Sequence, residues 1–288
     1  MADAVILDGR AIAGVIRSDV SVRVAALRAR GTPPTCAIVL LENDEAGRLY
    51  ANSIVKAGDA VGIDVEMRRL PAASTTDDVL LALAAVVDDA RVQAIIVQRP
   101  LPSHLDAERI CEEIDPRKDV DGAHPYNQGL LMAGESFLVP ATAAAVMEIL
   151  KQPQVPSLDG ARAVVIGRSS VVGRPVALLL TAANATVTIC HSHTKHLDAV
   201  CHEAEVLVAA VGRPRFVTAA MVARGAVVID VGTNFVDGRF VGDVDAESVS
   251  KVASALSPVP GGVGPVTTAV LLRNIVEVSE RAAPRTPA

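Results

Sequence analysis

Residues 41–64, LENDEAGRLYANSIVKAGDAVGID, place Tyr50 and Lys56 on one expected helix, in a chain with only two tyrosines. A phenol and an amine held together can move protons. Their spacing does not hold them together. At about 100° per residue, Ile54 lies about 40° round from Tyr50, whereas Lys56 lies about 120° away. A lysine stem can snorkel some distance, but not round a helix to a fixed angle. The reading is that Ile54 shares the face of Tyr50 and that Lys56 is a surface residue.

A second chemical signal is VVIGRSSVVGRPVALLL, a strand, a turn and a helix start in which Gly167 and Gly173 bracket Arg168, Ser169 and Val172. Free N–H groups at such a helix start suit a pyrophosphate. The spacing is G-x5-G and not G-x-G-x-x-G, so a plain strand–turn–helix is the competing reading. The following run, ATVTICHS, ends at Ser192 without the acidic residue that often clamps an NAD ribose. Arg168, Ser169 and Ser192 offer donors and positive charge instead, which suit a 2′-phosphate, so NADP is expected over NAD. SPVPGGVGPVT concentrates Pro260, Gly261 and Gly262 in a loop where a ligand can approach backbone closely. A simple turn would explain one such glycine and one proline. His191, His193 and His196 have no carboxylate or cysteine at confirming spacing, so no metal is expected.

Composition narrows the partners. Net charge is −6 and aromatic residues are 2% of the 288, which argues against nucleic acid, since duplex binding needs a basic face and single-strand binding needs stacking rings. No apolar run reaches the roughly 18 residues of a membrane span, and MADAVILDGR does not read as a signal peptide. Four scattered cysteines without a CxxC suggest reduced thiols and a cytoplasmic protein.

These residues must be positioned by an alternating framework. Apolar strands are expected at 36–42, 63–70 and 92–98, with helices at 44–61 and 75–90, the latter capped by threonine and aspartate. A helix at about 142–150 and the loop KQPQVPSLDG come next, and then the alternation restarts. Uninterrupted apolar strands between helices indicate parallel sheets covered on both faces. The expected fold is therefore α/β in two domains, 1–141 and 142–270, the second Rossmann-like, with a cleft between them. A final amphipathic helix at about 264–283 would return to the first domain.

Taken in order, VQRPLP, DPRKDVDGAHPYNQGLL, GRSSVVGRP, ATVTICHS, VIDVGTN, GDVD and SPVPGGVGP closely resemble the bifunctional methylenetetrahydrofolate dehydrogenase/methenyltetrahydrofolate cyclohydrolase family along nearly the whole chain. The resemblance implies folate bound mostly by the first domain, NADP by the second, and a homodimer. It assigns Asp121 to the pterin, Gln98 to support of the catalytic residues and Tyr50 to stacking on the folate. Pro260, Gly261 and Gly262 are assigned to the substrate, and Gly212, Gly232 and Thr233 join the cofactor contacts. The departures carry more information. The family helix reads Tyr-x-x-x-Lys, and here the lysine position is Ile54. Gly47 replaces a serine, Arg99 replaces a leucine, and PATAAAV keeps only Pro140 and Thr142 of the family's pattern. The expected activity is an NADP-dependent methylenetetrahydrofolate dehydrogenase with weak or absent cyclohydrolase activity. The alternatives are a bifunctional enzyme with a substitute proton carrier and a non-catalytic folate-binding homologue.

Overall fold

The computed structural model describes residues 3–42 and 45–283. In chain order the elements are β1 (Val5–Ile6), α1 (Gly9–Ala29), β2 (Thr35–Glu42), α2 (Glu45–Val61), β3 (Asp64–Pro71), α3 (Thr76–Val87) and β4 (Ala94–Val97). There follow α4 (Ala107–Glu112), α5 (Pro125–Ala133), α6 (Ala141–Leu150), β5 (Arg162–Ile166), α7 (Gly173–Ala182), β6 (Thr186–Cys190), α8 (Leu197–Cys201) and β7 (Val206–Ala209). The chain continues with β8 (Val227–Asp230), β9 (Asn234–Val236), β10 (Arg239–Val241), α9 (Ala246–Val249), β11 (Ala255–Leu256) and α10 (Val263–Ala282). They form two compact units. One comprises Val15–Ala141 and the chain from Thr268 onward, the other the chain through Gly14 and Thr142–Thr267.

The Val15–Ala141 unit holds a parallel sheet of order β3-β2-β4. Central β2, TCAIVLLE, is buried along all but its last residue, as a strand covered on both faces should be. Edge strand β3 keeps Asp64, Arg68 and Arg69 exposed, and charge on an edge blocks further pairing. A core of Val39, Leu41, Val79, Leu83, Ile95 and Ile110 lies against one sheet face. Helix α3 starts with a reciprocal cap: the Asp78 amide donates to Thr75 Oγ1 at 3.2 Å, and the Thr75 amide donates to Asp78 Oδ2 at 2.8 Å. From Thr268 on, α10 is part of this unit, and its Glu280 receives two hydrogen bonds from the Arg23 guanidinium at 3.0 and 2.7 Å.

The Thr142–Thr267 unit holds a six-stranded sheet of order β1-β11-β8-β7-β5-β6, every pair parallel. Strands β7 and β8 are buried throughout. The order runs outward from β5 to β6 and then resumes on the other side of β5 with β7. That reversal is the switch point at which doubly wound sheets bind ligands.

The two parallel-sheet α/β units agree with the sequence reading, and β2, β3, β4 and α10 fall within two residues of their expected limits. The chain start does not follow the expected boundary. Where the sequence suggests one domain over 1–141, residues through Gly14 cluster with the other unit, because β1 pairs with β11 across some 250 residues of sequence (Val5 with Ala255, Ile6 with Leu256). Two-residue strands carry no periodicity to read. The β9–β10 hairpin, which also escapes the sequence reading, lies outside both parallel sheets. Among the described residues no helix is long and apolar enough to cross a membrane.

Candidate functional site

The site residues fall on two strand-end edges, one in each unit. In the Val15–Ala141 unit, Gln98 and Arg99 follow β4 directly, and the Gln98 amide N donates to Val39 O of β2 at 2.9 Å. Ile95 makes a parallel bridge with Asp119, so the KDVDG segment runs alongside β4 toward the same end and delivers Asp121 there. Tyr50 comes from α2, the helix that leaves the β2 strand end. Tyr50, Asp121 and Arg99 thus converge. The Asp121 carboxyl is pushed up to about 7 by burial and by the neighbouring Asp119 carboxylate, and Arg99 acts against that rise. Burial and the Asp121 carboxylate together push the Tyr50 phenol well above its usual range, and the buried Cys36 thiol rises for the same two reasons. Gln98 turns its Nε2 onto the Arg99 carbonyl at 2.7 Å.

Ile54 is 0% exposed, whereas Lys56 is exposed. One turn after Tyr50 the helix therefore buries hydrocarbon, and the lysine on the same helix points to water.

Asp119 is the residue that makes this loop possible. It is 1% exposed and accepts the His124 amide at 2.8 Å and Asn127 Nδ2 at 2.9 Å, while Asn127 Nδ2 also reaches Pro116 O at 2.9 Å. A buried carboxylate must have such donors. In KDVDG the first aspartate thus holds the turn and the second is left beside Tyr50 and Arg99. The motif alone does not separate the two.

In the Thr142–Thr267 unit all candidate residues lie just past the C-terminal ends of parallel strands. Gly167–Gly173 follows β5, Ser192 follows β6, Gly212 follows β7, Gly232 and Thr233 follow β8, and Pro260–Gly262 follows β11. One sheet edge therefore gathers segments scattered over a hundred residues. Gly167 has φ +125°, and a Cβ there would run into the Ala210 carbonyl of the β7 end; one at Gly173 would run into the Gly167 carbonyl. The G-x5-G spacing is thereby explained: both glycines let the turn and the start of α7 fold tightly onto the strand ends. Ser169 Oγ accepts the Val172 and Gly173 amides at 3.2 and 3.3 Å, tying the turn to the start of α7. Arg168 and Ser192 are exposed on adjacent strand ends, since Ile166 is in register with Cys190.

The Pro260–Gly262 loop packs against the start of α1. The Gly9 amide donates to Gly261 O at 2.9 Å, and a Cβ at Gly9 would overlap Gly262 O. Much of the close backbone approach is thus made by the start of α1. Gly232 is also closed in, its amide donating to Asp230 Oδ1 at 2.9 Å.

Asp230 and Asp243, which the sequence reading does not single out, brace the loops that carry the candidate residues. Asp243 is 0% exposed and accepts the amides of Val211, Gly212 and Arg213 at 2.6, 2.9 and 2.9 Å, plus Asn234 Nδ2 at 2.8 Å. Asp230, 3% exposed, accepts the amides of Gly232, Asp243 and Val244. Burial pushes its carboxyl up to about 6 against those three donors. The pair fixes the loops after β7 and β8 in which Gly212, Gly232 and Thr233 sit. The available signal was an aspartate ending the apolar run VVID, where burying a charge is costly unless donors converge on it. Asp243→Ala strands four donors, and we expect a loss of about 3 kcal/mol or more in unfolding free energy. Urea unfolding measures it; a loss under about 1 kcal/mol would mean that water satisfies the loops equally well.

Among the described residues no group of three or more His, Cys, Asp or Glu is arranged to hold a metal ion. His191 Nδ1 is occupied by the His193 amide at 3.1 Å.

Comparison with known proteins agrees with both halves of this geometry. Residues 7–121 match the family model described as "Tetrahydrofolate dehydrogenase/cyclohydrolase, catalytic domain", and residues 140–283 match "Tetrahydrofolate dehydrogenase/cyclohydrolase, NAD(P)-binding domain". The bifunctional protein FolD of Parafrankia sp. (strain EAN1pec) is 50% identical over 274 residues, covering 95% of this chain and 98% of that protein. FolD of Acetivibrio thermocellus is 42% identical, covering 96% and 98%. The crystal structure of the bifunctional FolD from Campylobacter jejuni superposes with a TM-score of 0.92 at 38% identity, covering 96% of this chain and 99% of that one. The Trypanosoma brucei methylenetetrahydrofolate dehydrogenase-cyclohydrolase complexed with NADP cofactor and inhibitor superposes with 0.93 at 36% identity, covering 98% and 99%. The chain belongs to the tetrahydrofolate dehydrogenase/cyclohydrolase family.

Proposed function

We propose that this chain oxidises 5,10-methylenetetrahydrofolate to 5,10-methenyltetrahydrofolate with NADP and hydrolyses the product weakly or not at all. The observation that carries the second half is Ile54, fully buried one helical turn after Tyr50, at the position where the family's pattern has lysine.

The two family reactions need that lysine unequally. Oxidation moves a hydride from the carbon bridging N5 and N10 and leaves a cation shared by both nitrogens. NADP, held by the Gly167–Gly173 turn with Arg168 and Ser192, would supply the hydride acceptor. No proton is added or removed at the reacting carbon, so positioning and a field suited to the cation carry most of the rate. In this reading Asp121 accepts hydrogen bonds from the pterin amino group and ring N–H, and Tyr50 stacks on the ring. Ring opening instead adds water to the cation and must move protons, for which a positioned amine is useful and an isoleucine is not. Removing an ammonium also removes a repulsion toward a cationic ligand.

Purified chain given methylenetetrahydrofolate and NADP should therefore build up methenyltetrahydrofolate, which then decays at the rate of buffer alone. Enzyme-dependent loss of methenyl absorbance would overturn the reading and favour a bifunctional enzyme.

The strand-end edge fits the cofactor. Gly212, at φ +64°, has open space where a Cβ would be, α7 points its N-terminus at the same edge, and Arg168 and Ser192 stand exposed beside it without an acidic neighbour on β6. Arg168→Ala should weaken NADP about tenfold or more, as loss of a charge-assisted bond does, and NAD much less. Equal losses in titrations of the two cofactors would remove Arg168 from phosphate recognition. We also infer a homodimer. The β9–β10 hairpin exposes Phe235 and Phe240, whose ring centroids are 5.3 Å apart, and so offers apolar surface for association.

A further inference from the structure

Asn274 is one of the few polar side chains in the buried part of α10, at 4% exposed. Its Nδ2 donates to Val120 O at 2.9 Å and to Val139 O at 3.3 Å. Val120 lies between Asp119, which holds the KDVDG turn, and Asp121, which faces the site. One amide therefore ties the backbone at Asp121 to a second segment and to a helix some 150 residues away in sequence. The two segments touch at their backbones: Gly122 has φ +62°, and a Cβ there would come within 2.7 Å of Pro140 N and 3.0 Å of Val139 C. The Gly122 amide closes the turn on Asp119 O at 3.2 Å. Asp119 fixes the turn from within, and Asn274 fixes where the turn stands in the unit.

We propose that Asn274 is a positioning residue for the folate reaction, acting through the Val120 carbonyl to hold Asp121 in register for the pterin. The proposal rests on the reading of Asp121 as the pterin acceptor. The chemistry follows from the donor set. A carboxylate accepting two pterin N–H groups must keep both oxygens in the ring plane, and displacements of about 1 Å in such a frame cost up to about 10²-fold in rate. Two carbonyls converging on one position call for an NH₂ group, which can donate twice. Leucine would fill the space but leave both carbonyls without a donor. Aspartate would fill it too, and could donate once, only while protonated.

The test uses the full chain, with kinetics read well below each variant's melting temperature. Asn274→Leu should raise KM for methylenetetrahydrofolate about tenfold or more, while the NADP Kd stays within twofold. Asn274→Asp should show a new pH dependence, with kcat/KM closest to wild type at low pH and falling as the buried acid ionises. Loss of packing alone would lower the melting temperature of both variants without a folate-specific KM change or a new titration. Asp121→Ala, assayed in parallel, separates the two readings. If it disables folate turnover while Asn274→Leu leaves the folate KM unchanged, the positioning role is overturned and the site reading survives. If Asp121→Ala itself leaves the folate KM and kcat unchanged, both are overturned.

Discussion

Ile54→Lys should hydrolyse methenyltetrahydrofolate about 10²-fold faster than the wild-type chain, the lower end of what one general acid–base group contributes. The new amine would start from a fully buried position on α2, one turn from Tyr50 and on the unit edge where the Asp121 carboxylate lies. Burial lowers a lysine's pKa and a nearby carboxylate raises it. The opposing effects keep the amine near the range in which it can both take and give a proton. The gain belongs at the lower end because Gly47 and Arg99 replace the family's serine and leucine, so the amine's surroundings are incomplete. The same substitution should destabilise the fold, since an isoleucine packed at 0% exposure gives way to a charge. Ile54→Met, similar in volume, should leave both rates as in wild type. Lys56→Met should do the same, because Lys56 is exposed on another face of the helix. Loss of methenyl absorbance across these four proteins decides the matter. Fast hydrolysis by the wild type that Lys56→Met abolishes would reinstate Lys56 as the proton carrier.

Asp121→Asn should reduce folate turnover at least about 10²-fold, yet make the ligand-free protein more stable at alkaline pH. The catalytic half follows from donors and acceptors. A carboxylate accepts from two pterin N–H groups, whereas an amide accepts with one atom and presents N–H to the other. The stability half follows from Asp121's carboxyl standing at about 7, raised by burial and Asp119 and restrained by Arg99; Tyr50 and Cys36 are the other titratable groups near it. A carboxyl with a raised folded-state pKa holds its proton to higher pH in the native chain than in the unfolded one. The native state thus carries no penalty below the ordinary carboxylate range, a growing one between about 4 and 7, and the full one above. Asparagine stays neutral throughout. Its advantage should be absent near pH 4 and reach about 1–3 kcal/mol near pH 8, allowing for the residue's partial exposure. Urea unfolding at both pH values measures it. Equal stabilities at pH 8 would mean that Asp121 ionises as a solvated acid.

Much of this protein is written locally in its sequence. An apolar run such as CAIVLL must be a covered strand because none of its side chains gains from water on either face. Thr75 and Asp78 fix the start of α3 by bonding each other's backbone. The 3.6-residue period puts Ile54, and not Lys56, on the side of Tyr50. Gly167 and Gly173 mark a tight turn because only glycine leaves room for the carbonyls that approach them. These are interactions within a few residues, where spacing is geometry.

Other features exist only once distant segments meet. The pairing of β1 with β11, the cradle of amides around Asp243, and the Asn274 amide on the Val120 carbonyl all join residues about 30 to 250 positions apart. No local period encodes them. The difference between Asp119 and Asp121 is of the same kind. Two residues apart in KDVDG, they are alike as sequence. Folding gives one His124 N–H and Asn127 Nδ2, and gives the other a half-buried place beside Tyr50 and Arg99. Desolvation and the donors available to offset it are set by what packs around a group, so only the tertiary structure decides which aspartate holds the turn and which is left without those donors.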